Sequence, residues 1–370
     1  MRNTTISICK ALAIICMVIG HADSPHYLMN FIYLWHMPLF FITAGYFFST
    51  KYLNDEITFI KKRVKSLYIP FVKWSVIVLL LNPLFFATGF LNEHFGNPGG
   101  GVTHPLNAKQ MLQSFVDIIF TMGGYDVFLL SAFWFFRALL VASIGYLVLF
   151  KLFKKVPYIR LNETCVVCAI CLTAYVFVLF KFGFGIKYRC INQGGYRDLM
   201  GIFFMGIGFL FRKYEGYIKR YPIAIGIVCL AATLVFTFWF GTSMSLNSKL
   251  KHVYRLPFAA TAGFTFVYIL SSYIDKTSGW AKRFLVYCGD HSLQIMIWHI
   301  FAYKIVALLQ IIIWNLEWEQ IGCHMVIHNA ETSNYLWILY SIAGVCIPLA
   351  WKYYYDKICT KHFLRSSSQY

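Results

Sequence analysis

The chain has 370 residues, of which 59% are apolar and only 13% charged, a composition that excludes an ordinary soluble domain. A net charge of +18 would suggest a nucleic-acid partner in a soluble protein, but here the Lys and Arg residues lie between hydrophobic runs. Anionic lipid headgroups and the positive-inside rule account for such a pattern. We therefore predict an integral membrane protein that lies in a lipid bilayer and binds no nucleic acid.

Ten segments are apolar enough to cross a membrane, since a transmembrane helix needs about 20 mostly apolar residues. They predict an all-α integral membrane protein, a bundle of about ten transmembrane helices. The predicted spans are residues 6–20, 31–49, 67–90, 128–152, 163–183, 195–211, 221–240, 256–273, 292–314 and 335–351. The stretch 111–122 is apolar but short, so we predict an interfacial or re-entrant segment there. The glycine-rich run 97–101 predicts an irregular loop.

The basic residues set the orientation, because short cytoplasmic loops carry the excess of Lys and Arg. With the N-terminus inside, the basic runs 61–65, 151–160, 212–220 and 276–283 all fall on the cytoplasmic face. The segment 241–255 is basic although it is assigned outside. An even number of helices with both termini cytoplasmic fits best. We predict a transmembrane domain over residues 1–355 and a basic cytoplasmic tail over residues 356–370.

Two features argue against a cleaved signal peptide and against an iron-sulfur site. Lys10 interrupts the first apolar run and no small-residue cleavage site follows, so we predict a retained helix rather than a cleaved signal peptide. Cys165, Cys168 and Cys171 have a spacing similar to that of iron-sulfur ligands, but a fourth ligand is missing and the surrounding sequence is that of a lipid-spanning helix. We predict neither a metal site nor a disulfide framework.

Lys10 and His21 are the first candidates for a functional site, because ionisable groups inside a bilayer each cost about 2.5–3.5 kcal/mol on insertion scales. Eleven residues at about 100° each bring the two side chains within about 20° of one helix face, at axial positions about 16 Å apart. Such a face can form the wall of a passage between the two sides. Alternatively, Lys10 snorkels toward the cytoplasm and His21 is an interfacial histidine.

His36 lies early on the next predicted helix, so a hairpin can bring it close to His21. Two imidazoles at similar depth suit proton transfer near neutral pH. A purely structural histidine is the alternative. Zinc is disfavoured, because no carboxylate or cysteine stands at ligand spacing with the two histidines.

Arg137 and His299 are further ionisable candidates within predicted spans. Arg137, in the run FWFFR, implies a buried anion, either a protein carboxylate or a phosphate-bearing ligand. His299 follows Ser292 by seven residues, so the two share a helix face within about 20°. That pair either contributes to a site or serves only helix–helix hydrogen bonding.

The opening segments ISICKALAIICMVIGH and FIYLWHMPLFFITAGYFF together resemble the first helix pair of the membrane-bound acyltransferase family 3, especially its fucose 4-O-acetylase-like branch. The opening basic residue, ten residues and then a histidine are present as Lys10 and His21. Weaker similarities follow in order along nearly the whole chain: FIKKRVKSLYIPFVKW with Arg63, FWFFRALL with Trp134 and Arg137, FFMGIGFLFRK, and GDHSLQIMIWH with Ser292 and His299.

The resemblance implies a ten-helix core in the bacterial cytoplasmic (inner) membrane that carries out O-acyl transfer. The donor would be cytoplasmic acyl-coenzyme A, commonly acetyl-coenzyme A, acting as a co-substrate rather than a permanently bound cofactor. The acceptor would be a sugar hydroxyl of a cell-surface polysaccharide or its lipid-linked precursor. His21, His36 and Lys10 would be catalytic, with His21 a general base or a transient acyl carrier. The expected substrate contacts are Arg63, Trp134, Arg137, Ser292 and His299.

The sequence departs from that family in one place and leaves other functional classes open. Many relatives have an acidic residue three positions before the basic one, where this chain has Ser7. Any ion pair of Lys10 must therefore come from elsewhere. Polar residues on helix faces are equally typical of a transporter or flippase of a lipid-linked glycan. A non-enzymatic membrane scaffold is the third possibility.

Overall fold

A computed structural model describes residues 3–96, 104–124, 128–186, 188, 191–246, 248–328 and 335–367, and most of these residues are helical, with no strand among them. The predicted glycine-rich loop 97–101 and the end of the predicted tail lie outside the described residues. The helices are α1 (Thr4–His21), α2 (His26–Tyr46), α3 (Glu56–Arg63), α4 (Ile69–Ala87), α5 (Ala108–Thr121), α6 (Trp134–Lys154), α7 (Glu163–Gly183), α8 (Tyr196–Arg220), α9 (Pro222–Val235), α10 (Leu250–Lys276), α11 (Trp280–Asp290), α12 (Ser292–Trp314) and α13 (Leu336–Ser367).

The predicted fold class, a multi-pass helical membrane protein, is confirmed. Over the described parts of the chain, nine helical segments are long and apolar enough to span a bilayer. The predicted span outside these nine segments, 195–211, lies in α8, whose 25 residues extend over about 37 Å. Its charged groups gather at the two ends, and its middle is buried against α2, α6 and α7. Helix α8 is therefore long enough to cross the membrane within the bundle.

Two π-helical turns lengthen neighbouring helices. Val64–Tyr68 joins α3 to α4, which makes one continuous helix from Glu56 to Ala87. Phe236–Phe240 extends α9. Helix α13 runs on beyond the predicted end of its span and into the predicted tail.

Helix α2 packs against both α1 and α8, and glycines allow α2 and α8 to approach closely. A side chain at Gly45 of α2 would overlap the carbonyl of Met205, and one at Gly208 of α8 would overlap the carbonyl of Ile42. Glycine in a helix interface lets the neighbouring backbone approach closely, which is a usual way for membrane helices to associate. Backbone contact fixes α2, and with it His36, against α8.

Two shorter helices flank the spans. Helix α5, which covers all but the last residue of the apolar stretch 111–122, has 14 residues, and its length of about 21 Å is too short to cross a bilayer. Its Leu112 and Phe120 are exposed. Helix α11, of 11 residues, was not predicted as an element, because it is too short for a span and directly precedes one. It packs along α1.

Candidate active site

A cavity of about 510 Å³ lies between α1, α2, α6, α8 and α12. It brings together residues that are far apart in the sequence. Six of the residues predicted to form the site line it: Lys10, His21, His36, Arg63, Trp134 and Ser292.

One face of α1 forms a long wall of this cavity. Lys10, Ile14, Met17 and His21 follow each other at helical spacing and all line it. Lys10 lies toward the N-terminal end of α1, and His21 is its last residue, about 16 Å further along the axis. The cavity therefore extends along most of the length of a membrane-spanning helix.

The two ends of the cavity have different linings. Near Lys10, the wall includes Arg63, at the end of α3, and Ser66, in the π-helical turn that follows. The extra residue of a π-helical turn changes the direction of the side chains, and such turns are frequent at functional sites. Near His21, the wall includes Tyr33 and the segment Ser243–Ser245 between α9 and α10. By the charge-derived orientation, the first end faces the cytoplasm and the second the outer side.

His21 is hydrogen-bonded to His299, with 3.1 Å between Nδ1 of His21 and Nε2 of His299. The backbone determines the tautomers of this pair. Nδ1 of His299 lies 3.1 Å from the carbonyl oxygen of Ile295 and 3.0 Å from that of Met296, so it carries a proton and donates it. Nε2 of neutral His299 must then accept the proton of His21 Nδ1, because a neutral imidazole has one donor and one acceptor. This leaves Nε2 of His21 unprotonated, as a base requires.

His36 is held in the same tautomeric state. Its Nδ1–H donates to the carbonyl oxygen of Ile32 over 2.8 Å, so its Nε2 is the acceptor. Its ring lies 5.2 Å from that of Tyr33, whose hydroxyl donates to the carbonyl of Gly20 over 2.9 Å. This bond ties α2 to the residue directly before His21. The cavity is therefore lined by two imidazoles, each with its Nδ1 already used as a donor.

Arg137 and His299, both expected to contact substrate, do not line the cavity. Nε of Arg137 lies 3.5 Å from Oδ1 of Asp198 on α8, and the two side chains are only 3% and 1% exposed. Of the two anions that the sequence left open for Arg137, the protein supplies the carboxylate. His299 lies behind His21 as its hydrogen-bond partner. Its position is fixed further by Tyr303, whose hydroxyl donates to the carbonyl of Val18 and whose ring packs on that of His299.

Sequence reasoning missed Arg197 and Asp290, which also line the cavity. The guanidinium of Arg197 lies over the Trp134 ring, 3.9 Å from its centroid, and its Nε donates to the carbonyl of Met244 over 3.1 Å. Asp290 accepts a hydrogen bond from Ser7 over 2.8 Å. Both contacts join helices that are distant in sequence, so no spacing or periodicity could reveal them.

No three His, Cys, Asp or Glu side chains come together as a metal site in the part of the chain that the structure describes. The cysteine group noted in the sequence lies along α7, with Cys165 and Cys168 exposed and Cys171 buried. These side chains are on the surface or in the packing of α7, and none of them lines the cavity.

The sequence was also compared with known proteins. The acyltransferase family 3 model, described as an acyltransferase domain, matches residues 3–354. No curated protein and no solved structure matches the chain. The match includes all the helices that build the cavity.

Proposed function

The chain belongs to acyltransferase family 3, and from this premise we propose that it transfers a short acyl group, such as acetyl, from cytoplasmic acyl-coenzyme A to a sugar hydroxyl. The acceptor would be part of a cell-surface polysaccharide or its lipid-linked precursor, and the enzyme would act in a bacterial cytoplasmic membrane. The similarity of the opening helix pair to fucose 4-O-acetylase-like proteins supports a carbohydrate acceptor.

One observation carries the proposal. His21 lines a cavity along a membrane-spanning helix, and its Nδ1–H is directed to His299, which leaves its Nε2 as a base. A general base held in one tautomer by a second group is the usual arrangement for activating a hydroxyl. His299 also accepts the hydrogen bond of protonated His21, so the ring can take up a proton without turning.

The proposed reaction is a direct transfer. Nε2 of His21 accepts the proton of the sugar hydroxyl as the hydroxyl oxygen attacks the thioester carbonyl carbon. The carbon–sulfur bond then breaks, and His21 returns the proton to the leaving thiolate. The products are an O-acyl sugar and free coenzyme A. His36 accepts a second hydrogen bond from the sugar through its Nε2 and so orients it.

The length of the cavity supports separate binding positions for the donor and the acceptor. Lys10 and Arg63 at one end provide positive charge for the donor, whose nucleotide part carries phosphates. Trp134 and the serines of Ser243–Ser245 at the other end provide an aromatic ring and hydroxyls, which suit a sugar. Ser292 lines the same space. Donor and acceptor would meet near His21.

The test uses the detergent-purified chain with acetyl-coenzyme A labelled in its acetyl group and a panel of host glycans. We expect release of free thiol that depends on the acceptor, with label appearing on the glycan. Mass analysis of the surface glycan with and without the gene then identifies the acceptor. A general base leaves no label on the protein when the acceptor is omitted, whereas an acyl carrier leaves label on His21.

The same experiment separates the enzyme from a transporter, which would use a cavity of this length equally well. A transporter reconstituted in vesicles moves a lipid-linked glycan across the vesicle membrane without cleaving a thioester. Glycan movement with no thiol release would contradict the proposed function.

A further inference from the structure

Helix α11 lies directly on the cytoplasmic half of α1. A side chain at Gly289 would overlap the carbonyl of Ser7, so the two backbones are in contact at that point. The next residue, Asp290, accepts a hydrogen bond from the Ser7 hydroxyl, with 2.8 Å between Oγ and Oδ1. The glycine contact and the hydrogen bond together give this carboxylate a defined position beside α1.

The carboxylate is within reach of Lys10. Ser7 and Lys10 are three residues apart on α1, so their Cβ atoms are about 5–6 Å apart on neighbouring turns. Lys10 and Asp290 both line the cavity. The flexible four-carbon stem of a lysine spans such a distance easily, and an ammonium within a membrane requires a partner or water.

Two other carboxylates near this end of the bundle have partners of their own. Asp275 accepts hydrogen bonds from Thr4, Thr5 and Lys282. Glu215 accepts bonds from Tyr46, Tyr268 and Lys219. Among the described residues that line the cavity, Asp290 is the acidic one.

We propose that Asp290, positioned by Ser7, holds the ammonium of Lys10 in place for contact with the acyl donor. The donor's identity rests on the proposed function. Asp290 is a positioning residue in this arrangement, because it acts through Lys10 and contacts no reacting atom. Lys10 lies about 16 Å from His21 along α1, so Asp290 affects donor binding and leaves the chemical step unchanged.

The first experiment measures KM for acetyl-coenzyme A in Asp290→Asn, which keeps an acceptor for Ser7 but removes the charge. We expect KM for the donor to rise about tenfold while kcat and KM for the acceptor stay within about twofold of the wild type. If the carboxylate of Asp290 acted only by repelling the anionic donor, its removal would instead lower the donor KM. A lower or unchanged donor KM would overturn the proposal.

The second experiment tests whether Asp290 acts through Lys10 and Ser7. In a Lys10→Met background, Asp290→Asn is expected to change the donor KM no further, because the group that it positions is gone. The exchange Ser7→Asp with Asp290→Ser moves the carboxylate to the other end of the same hydrogen bond and is expected to restore most of the affinity lost in Asp290→Ser. Additive effects with Lys10→Met, or no recovery in the exchanged variant, would overturn the proposal.

These outcomes are distinct from a failure of the proposed function. Wild-type protein that releases no thiol from acetyl-coenzyme A in the presence of any glycan overturns both proposals. Wild-type turnover together with an unaffected Asp290→Asn variant overturns only the role of Asp290.

Discussion

Lys10 and Arg137 are both cations within membrane-spanning helices, yet the protein places them in different surroundings. Lys10 lies on the part of the cavity wall that α1 forms, and its side chain is partly exposed. Arg137 is sealed in the packing of α6 against α8, where Asp198 is its partner. A buried cation therefore does not by itself mark a substrate site, because packing can supply its counter-ion from a neighbouring helix.

The comparison predicts that the cavity wall governs activity and the α6–α8 interface governs stability. The largest expected effect is on the cavity side, at His21. His21→Ala should reduce acyl transfer by about two to four orders of magnitude, because a general base contributes about 10²–10⁴-fold. The rate of thiol release measures the loss. Membrane insertion should be unchanged, and His252→Ala, outside the cavity, is the matched control with normal activity. Retained activity in purified His21→Ala would contradict the mechanism.

Arg137 tests the other side of the comparison. Arg137→Met leaves Asp198 as a buried charge without its ion-pair partner Arg137, so the free energy of unfolding should fall by about 3 kcal/mol. Thermal unfolding in detergent measures it. Adding Asp198→Leu should recover most of the stability, since two apolar groups need no counter-ion. Lys10→Met should change Tm little. If Arg137→Met kept the wild-type Tm and raised an acceptor KM instead, Arg137 would belong to the site.

His299 shares features of both regions: it is buried like Arg137, but it contacts His21 on the cavity wall. His299→Leu should lower kcat by about a hundredfold, because His21 loses the group that fixes its tautomer. His299→Gln should lose less, about tenfold, since its amide oxygen can accept the proton of His21 Nδ1. Steady-state kinetics at saturating donor measures both. Equal losses in the two variants would indicate a packing role alone.

The smallest expected effect concerns the C-terminal end of α8, beyond its predicted span. Burial raises the pKa of Glu215, but hydrogen bonds from Lys219, Tyr46 and Tyr268 outweigh it and hold that pKa below its ordinary value of 4.5. A carboxyl group with a lowered pKa in the folded state stabilises the protein above pH 4.5 and loses this contribution as the pH falls through the folded value.

Glu215→Gln should therefore lower Tm by a few degrees at pH 7 and make Tm less sensitive to acid below pH 5. Thermal unfolding from pH 3.5 to 7 measures the change, with the exposed Glu317→Gln as control. If Tm of Glu215→Gln depended on pH as strongly as that of the wild type, Glu215 would make no contribution to the acid sensitivity of the fold.

Much of the architecture was predictable, because lipid imposes long apolar segments that a sequence displays directly. The helix α7 has the predicted bounds 163–183, and α12 has the predicted bounds 292–314. Helix α11 was not predicted, because its 11 residues are too few for a membrane span. Helical periodicity also indicated that Lys10 and His21 share a face, and both side chains line the cavity.

Partners between distant helices were not predictable. The sequence by itself determined the spans and the periodicity that places Lys10 and His21 on one side of α1, because both follow from the length of a span and 3.6 residues per turn. Only the tertiary structure decided that His299 binds His21, that Asp198 pairs with Arg137, and that Asp290 meets Ser7. These contacts depend on which helix faces meet in the bundle, and that choice is made by side-chain packing over the whole chain rather than by any local pattern.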